Sequence, residues 1–170
     1  MSLRIAAVVV GALVAGLAVL YAIGRRPLEI ETRIRMAAPP KRVFAALTEP
    51  EQLLRWIPGL ESTTPLTDGG LRVGARSREV LVEHGRRMTA ESTVTALEHD
   101  RLLAVTLEGS GMHGELEYRL APTPDGTDLT FRESMRFSGV AVLFAVFVRG
   151  SAIRHVEESL ARLKALVEAG

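Results

Sequence analysis

The sequence predicts an α+β protein in which an antiparallel sheet packs on a long C-terminal helix, with an apolar helix at the N-terminus. Three observations lead to this fold class: an uncharged run at residues 5–23, alternating apolar and polar residues through most of 28–137, and a helical apolar stripe near the C-terminus. The 170 residues are 47% hydrophobic with a net charge of +1, which argues against a disordered chain and against a nucleic-acid partner. Because cysteine is absent, disulfides and thiolate sites are excluded.

The N-terminal run predicts a single transmembrane anchor, because about 19 uncharged residues at helical rise span roughly 28 Å. Residues 1–27 would then be the anchor with its basic linker, and residues 28–170 one folded domain. More basic residues follow the run than precede it, so the positive-inside rule places the domain in the cytoplasm. The basic residues that follow are Arg25, Arg26, Arg33, Arg35, Lys41 and Arg42. A cleaved signal peptide, which would export the domain, is the alternative.

Residues 28–36 alternate between charged side chains and a second set that is apolar except for Thr32, which predicts a half-buried strand. Prolines 39 and 40 then open a short helix, and Thr48 and Glu51 form a capping-box pattern for a second short helix. Six further strands follow residue 59, among them residues 71–83, and short turns join them. Connections this short favour an antiparallel meander, so the predicted sheet has seven strands.

The C-terminal helix is predicted to have two different halves. The second half carries apolar residues at helical spacing, including Val156, Leu160 and Leu163. The first half, residues 140–148, is apolar on every side and needs to be covered by protein, ligand or lipid.

Five segments in this order resemble the START-like (SRPBCC) superfamily, in its polyketide cyclase/dehydrase-type branch. They include Ala-Ala-Pro-Pro-Lys-Arg-Val-Phe at residues 37–44 and Glu-Pro-Glu-Gln-Leu-Leu-Arg-Trp-Ile-Pro-Gly at 49–59, with residues 71–76, 126–130 and 160–164. The resemblance implies a helix-grip fold, in which a curved seven-stranded sheet wraps around the last helix and an apolar cavity lies between them. It also implies binding of a lipid, isoprenoid, polyketide or other hydrophobic molecule, and some members catalyse cyclisation or dehydration.

Glu133 is the most informative polar residue. In its strand it shares a face with Leu129, Phe131, Met135 and Phe137. A carboxylate among apolar side chains is costly unless it is paired or its pKa rises, and a raised pKa suits a general acid/base or a ligand-orienting group. A buried salt bridge, or a bulge that turns Glu133 outward, is the alternative.

Other candidate residues share the inward direction. Glu79 is inward if Arg72, Arg76 and Arg78 face solvent. Two inward carboxylates would allow a shared proton or an acid/base pair. The Tyr118 hydroxyl is expected to bond either a ligand or the backbone, and Trp56 to lie at the cavity entrance or in the core. The candidate ligand-binding residues are Trp56, Glu79, Tyr118, Phe131, Glu133, Met135, Phe144 and Phe147. In a filled core, the two helix phenylalanines would occupy the cavity instead.

Three function hypotheses follow. The first is a membrane-anchored protein that binds or transfers a hydrophobic small molecule in the cavity. The second is a cyclase or dehydratase that uses Glu133 as acid/base, and the third is a non-enzymatic scaffold with a filled core. The histidines lack paired metal-ligand spacing, so we expect no metal and no cofactor. The sequence makes no prediction of oligomeric state.

Overall fold

The computed structural model describes residues 2–83, 85–109 and 111–169, with side chains except at residues 2–7, 9, 10, 83, 144 and 146–148. The secondary-structure elements within these ranges are α1 (Ser2–Gly24), β1 (Leu28–Met36), α2 (Pro40–Thr48), α3 (Pro50–Trp56), β2 (Leu60–Pro65), β3 (Arg76–Glu83), β4 (Arg86–Glu98), β5 (Leu102–Gly109), β6 (Met112–Thr123), β7 (Gly126–Phe137) and α4 (Ala141–Glu168).

The seven strands form one antiparallel sheet in the order β1-β7-β6-β5-β4-β3-β2. Strands β2 to β7 make the predicted meander, and β1 adds to it by pairing with β7, where Leu28 lies opposite Met135. Register shifts at residues 60–62 and 94–96 add local bends, as bulges do. The predicted α+β fold, with a curved seven-stranded antiparallel sheet and a C-terminal helix, is therefore confirmed.

The hydrophobic core lies between the concave face of the sheet and the second half of α4. Leu163 of α4, Leu129 of β7 and Met36 of β1 are completely buried there. Burying an aliphatic side chain of this size contributes about 1.5–3 kcal/mol. The helical stripe predicted from the sequence thus supplies the helix side of the core.

Helix α1 meets the rest of the protein where its last turn packs against the first turn of α4. Gly24 is buried at this crossing, and a Cβ atom at its position would overlap the carbonyl oxygen of Val142. Farther along α1, Leu13 and Leu17 are 63% and 51% exposed. Among the residues that the structure describes, no helix is long and apolar enough to cross a membrane, so the predicted transmembrane anchor is not supported.

The predicted capping box at the start of α3 was wrong. Thr48 is the last residue of α2, and its hydroxyl donates a hydrogen bond to the Phe44 carbonyl oxygen at 2.8 Å. Glu49 caps α3 without a side-chain hydrogen bond. Because Pro50 begins α3 directly after Glu49, the junction is too short for Thr48 to belong to both helices.

The strand predicted at residues 71–83 begins later, at Arg76. Gly74 has a φ of 83°, and this left-handed conformation interrupts extended geometry just before the strand. Residues 68–74 are exposed and connect β2 with β3. Arg72, predicted to share the outer face of this strand, lies outside it in the exposed connection. The strand still carries Glu79, Arg76 and Arg78, so the predicted alternation holds within it.

Candidate functional site

Glu133 lies on the concave face of the sheet, near the middle of β7. Its inward neighbours along the strand are Phe131, which is buried, and Met135, which is half-buried. The strand register places Ile30 of β1 and Leu116 of β6 directly opposite it. Because side chains alternate between the two faces of a strand, apolar residues flank the carboxyl group on all four sides within the sheet.

Burial raises the pKa of Glu133 from its ordinary value of 4.5 to about 7. No hydrogen bond or ion pair to this carboxyl group occurs among the described residues, and its burial is the cause of the shift. The arginines of β7 lie on the outer face, where Arg132 pairs with Glu31 at 3.1 Å and Arg136 with Glu115 at 3.8 Å. A carboxyl group of this kind exchanges a proton near neutral pH and, when protonated, donates a hydrogen bond.

Tyr118 of β6 stands beside this carboxyl group. Its ring lies 4.9 Å from the ring of Phe131, at an interplanar angle of 44°. Burial, with smaller contributions from the negative charges of Glu133 and Glu79, raises the pKa of the Tyr118 phenol. The phenol therefore keeps its proton at physiological pH. No described residue is found hydrogen-bonded to this hydroxyl group, so it is a free donor within that part of the chain.

Glu79 of β3 has a different environment on the same face. The Ser92 hydroxyl donates to its carboxylate oxygen Oε1 at 2.7 Å, and the Ser77 hydroxyl approaches the same oxygen at 3.4 Å. Burial raises the pKa of Glu79, and the two hydroxyl groups oppose that rise by stabilising the charged form. The two serine hydroxyls also bond to each other at 2.8 Å, which makes a three-residue polar cluster.

The two inward glutamates do not form the shared-proton pair that the sequence allowed. Strands β4, β5 and β6 separate β3 from β7, which corresponds to about 19 Å along the sheet surface. Neither carboxyl group hydrogen-bonds to the other, and the pKa of each rises through its own burial. The concave face therefore carries two separate carboxyl groups, with the Tyr118 hydroxyl between them in strand order.

The remaining candidates divide into one core residue and two residues with undescribed side chains. Trp56 is 3% exposed, and its indole N–H donates to the Ala46 carbonyl oxygen at 2.8 Å, so it belongs to the core. Phe144 and Phe147 lie on the backbone of α4, but their side chains are outside the described part of the structure. The ligand-binding roles predicted for these two residues stay predictions.

Solvent reaches the concave face near the site. Glu79, Leu107, Leu116, Glu133 and Met135 all point inward yet are only partly buried. Two surface pockets lie elsewhere. One of about 450 Å³ runs along α1, and the other, of about 270 Å³, lies between α2, α3 and the end of α4. Neither pocket contains a predicted site residue. The evidence that a ligand can reach the concave face is therefore the partial exposure of its inward side chains.

Ser92 belongs to the site although no sequence pattern predicted it. Its parity within β4 was readable, but only the register of β3 against β4 brings Ser92 opposite Ser77 and beside Glu79. Among the described residues, no group of three or more histidine, aspartate or glutamate side chains is arranged to hold a metal ion. The chemistry available to the site is thus hydrogen bonding and proton exchange within an apolar surface.

The sequence matches the family described as polyketide cyclase/dehydrase and lipid transport over residues 27–168. No curated protein matches the sequence.

Solved structures share the fold. Protein CV1439 from Chromobacterium violaceum is 23% identical with a TM-score of 0.66, over 84% of this chain and 99% of that one. An uncharacterized protein from Rhizobium leguminosarum is 19% identical with a TM-score of 0.68, over 85% and 97%. The di-domain ARO/CYC protein StfQ of the steffimycin biosynthetic pathway is 14% identical with a TM-score of 0.69, over 85% and 52%. At these identities the likeness shows the fold alone.

Proposed function

Because the chain belongs to the polyketide cyclase/dehydrase and lipid transport family, we propose that it binds a hydrophobic small molecule on the concave face of its sheet. The observation that carries this proposal is Glu133, a half-buried carboxyl group without a partner among the described residues. An unpaired polar group in an apolar surface is costly, and a ligand that bonds to it would offset that cost. Ligand sites commonly combine an apolar lining with a few polar groups of this kind.

Native mass spectrometry of the purified full-length protein tests this proposal. We expect a carried lipid, isoprenoid or polyketide-like molecule in the wild type, and its loss in Met135→Arg, which places a bulky cation beside Glu133. Ser134→Arg adds the same side chain on the opposite face of the same strand and should keep the molecule. An empty wild-type protein whose melting temperature ignores added lipids would overturn the binding function and favour a scaffold with a filled core.

Catalysis is a second candidate function, favoured by the pKa of about 7 at Glu133. An acid/base group works best when its pKa lies near the operating pH. In a dehydratase or cyclase, the ionised carboxylate would remove a proton next to a substrate carbonyl, and the protonated form would return it to a leaving hydroxyl group, which departs as water. Glu133→Gln should then bind a β-hydroxyketone probe but no longer dehydrate it. Equal turnover in the variant would exclude this role.

Membrane attachment is the third part of the proposal, and it depends on α1. The apolar side chains described along this helix are largely exposed, and two exposed arginines, Arg25 and Arg26, follow it. Such an arrangement favours contact with an anionic lipid surface. On the sequence argument, the domain of residues 28–170 then lies on the cytoplasmic side.

Vesicle flotation tests the membrane contact. Wild-type protein should float with phosphatidylglycerol vesicles, and the double variant Leu13→Glu, Leu17→Glu should not. The intact mass of the protein recovered from cells separates this arrangement from export, because cleavage near residue 24 would remove α1 from the mature chain. A mature chain without α1 would overturn the attachment.

A further inference from the structure

Near Glu133 and Glu79, the charged side chains described on the concave face are all acidic. In the described strands, the arginines of β1, β3, β6 and β7 alternate onto the outer face and are exposed. Several of them pair there with glutamates, as Arg78 does with Glu91 at 3.1 Å. Arg86 has inward parity, but it is the first residue of β4 and is exposed at the strand end.

The described arginines and the lysine of helix α4 add no cation to this surface. Its arginines at positions 149, 154 and 162 are exposed, and Lys164 donates to the Arg35 carbonyl oxygen at the other end of the sheet. His155 is half-buried and precedes Val156, which packs in the core. No described cation forms an ion pair with Glu133 or Glu79. The polar groups on the inward face of the described strands thus include two carboxyl groups, one phenol and the hydroxyls of Ser77, Ser92, Thr32 and Thr63.

We infer that the ligand's polar group is an uncharged hydrogen-bond donor, such as a hydroxyl or a primary amide, and that the site discriminates against carboxylate-headed lipids. This inference deepens the proposed binding function and rests on it. A ligand hydroxyl can donate to a glutamate oxygen and accept from the Tyr118 phenol through its own oxygen. A primary amide can do the same with two groups, because its N–H donates and its carbonyl oxygen accepts. A carboxylate has no proton to donate, and no arginine or lysine among the described side chains of this face would compensate its charge.

The physical argument concerns like charges in a poorly solvated place. A ligand carboxylate beside Glu133 leaves two negative charges that cannot both persist at short distance, so one of them takes up a proton. Above about pH 7, where the Glu133 carboxyl group is ionised in the free protein, that proton has to come from solution and its uptake weakens binding. An alcohol or amide with the same apolar chain meets no such cost.

A matched set of ligands tests this inference. Lauryl alcohol, lauramide and laurate share one chain length and differ in the head group, and calorimetry below their aggregation concentrations measures the affinity of each for the full-length protein. At about pH 8 we expect laurate to bind at least tenfold more weakly than lauryl alcohol, because laurate binding requires proton uptake and alcohol binding does not. The ratio should fall in Glu133→Gln, which cannot ionise, and stay unchanged in Glu29→Gln, an exposed glutamate on the outer face of β1.

The outcomes separate this inference from the function on which it rests. Laurate binding as tightly as lauryl alcohol overturns the head-group preference and leaves the binding function standing. Failure of all three molecules to bind overturns the binding function for simple lipids, and the head-group preference with it. A preference for the alcohol that Glu133→Gln does not reduce overturns the assignment to Glu133.

Discussion

The rings of Tyr118 and Phe131 lie 4.9 Å apart across strands β6 and β7, one residue pair away from Glu133 along the inward face. The pair fixes the position of the Tyr118 hydroxyl without a hydrogen bond to any described residue. Aromatic pairs of this tilted geometry contribute about 0.5–1.5 kcal/mol beyond the area that they bury. The Tyr118 hydroxyl and the Glu133 carboxyl group therefore lie on the same part of the concave face, beside this aromatic pair.

Tyr118→Phe is expected to weaken ligand binding while the protein stays folded. The substitution keeps the ring contact with Phe131 and removes the hydroxyl, so we expect a stability change of less than about 1 kcal/mol and about a tenfold loss of affinity for lauryl alcohol. Urea unfolding and calorimetry measure the two effects. Unchanged affinity would mean that the hydroxyl does not contact the ligand.

Glu133→Gln is expected to change how stability depends on pH. An acid whose pKa is higher in the folded than in the unfolded protein holds its proton more tightly when folded. Its contribution is therefore complete below the ordinary value of 4.5, falls as pH rises, and is lost above about 7. The variant removes this loss, so it should be more stable than wild type by about 2–3 kcal/mol at about pH 8 and similar at about pH 4.

Urea unfolding at both pH values measures this difference, with Glu29→Gln as the exposed control. The stability difference between each variant and wild type reports on the substituted carboxyl group alone. The raised pKa of Glu79 affects the stability of both proteins equally and cancels in the difference. The same stability difference at the two pH values would contradict a raised pKa at Glu133.

Ser92→Ala is expected to destabilise the protein more than Ser77→Ala. Both variants lose the bond between the two serines, but Ser92 also makes the shorter bond to Glu79, at 2.7 Å against 3.4 Å. Hydrogen bonds to charged groups contribute about 1.5–3 kcal/mol, and partial exposure brings our expectation for Ser92→Ala to about 1–2 kcal/mol. Urea unfolding at neutral pH gives the order, and the reverse order would show that Ser77 is the main partner of Glu79.

Gly24→Ala is expected to separate α1 from α4. The added methyl group would overlap the Val142 carbonyl oxygen, so the two helices have to move apart. Amide hydrogen exchange should speed up in the last turn of α1 and the first turn of α4, whereas the core around Leu163 keeps its protection. Gly16→Ala is the control, because its added methyl group would meet nothing within 4 Å. Equal exchange in the two variants would contradict the close crossing.

The predictable part of the structure is what one strand or helix determines by itself. Alternation in β7 places Glu133 among apolar neighbours whatever the rest of the sheet does. The spacing of Val156, Leu160 and Leu163 likewise defines the buried side of α4 before its partner is known. The inward direction of Glu133 and the buried side of α4 could therefore be predicted from the sequence.

The unpredicted part depends on how separate elements come together. Ser92 becomes a partner of Glu79 through strand register, and a shift of one residue would turn it to the outer face. The contact between Gly24 and Val142 joins two helices that are far apart in the sequence, and no local pattern encodes it. Thr48 was misassigned because its hydroxyl can bond either the preceding helix or the following one, and the position of Pro50 decides between them.

The most direct test of the central claim is an NMR titration of isotope-labelled protein with lauryl alcohol, followed through backbone amide and glutamate carboxyl signals. If the concave face binds the ligand, the shifts should concentrate on Tyr118, Phe131 and Glu133 and on the first half of α4, and the pKa of the Glu133 carboxyl should move away from about 7 when the ligand is bound. Shifts confined to the pocket around Arg42 and Leu166, or a Glu133 signal that titrates identically with and without ligand, would contradict the account.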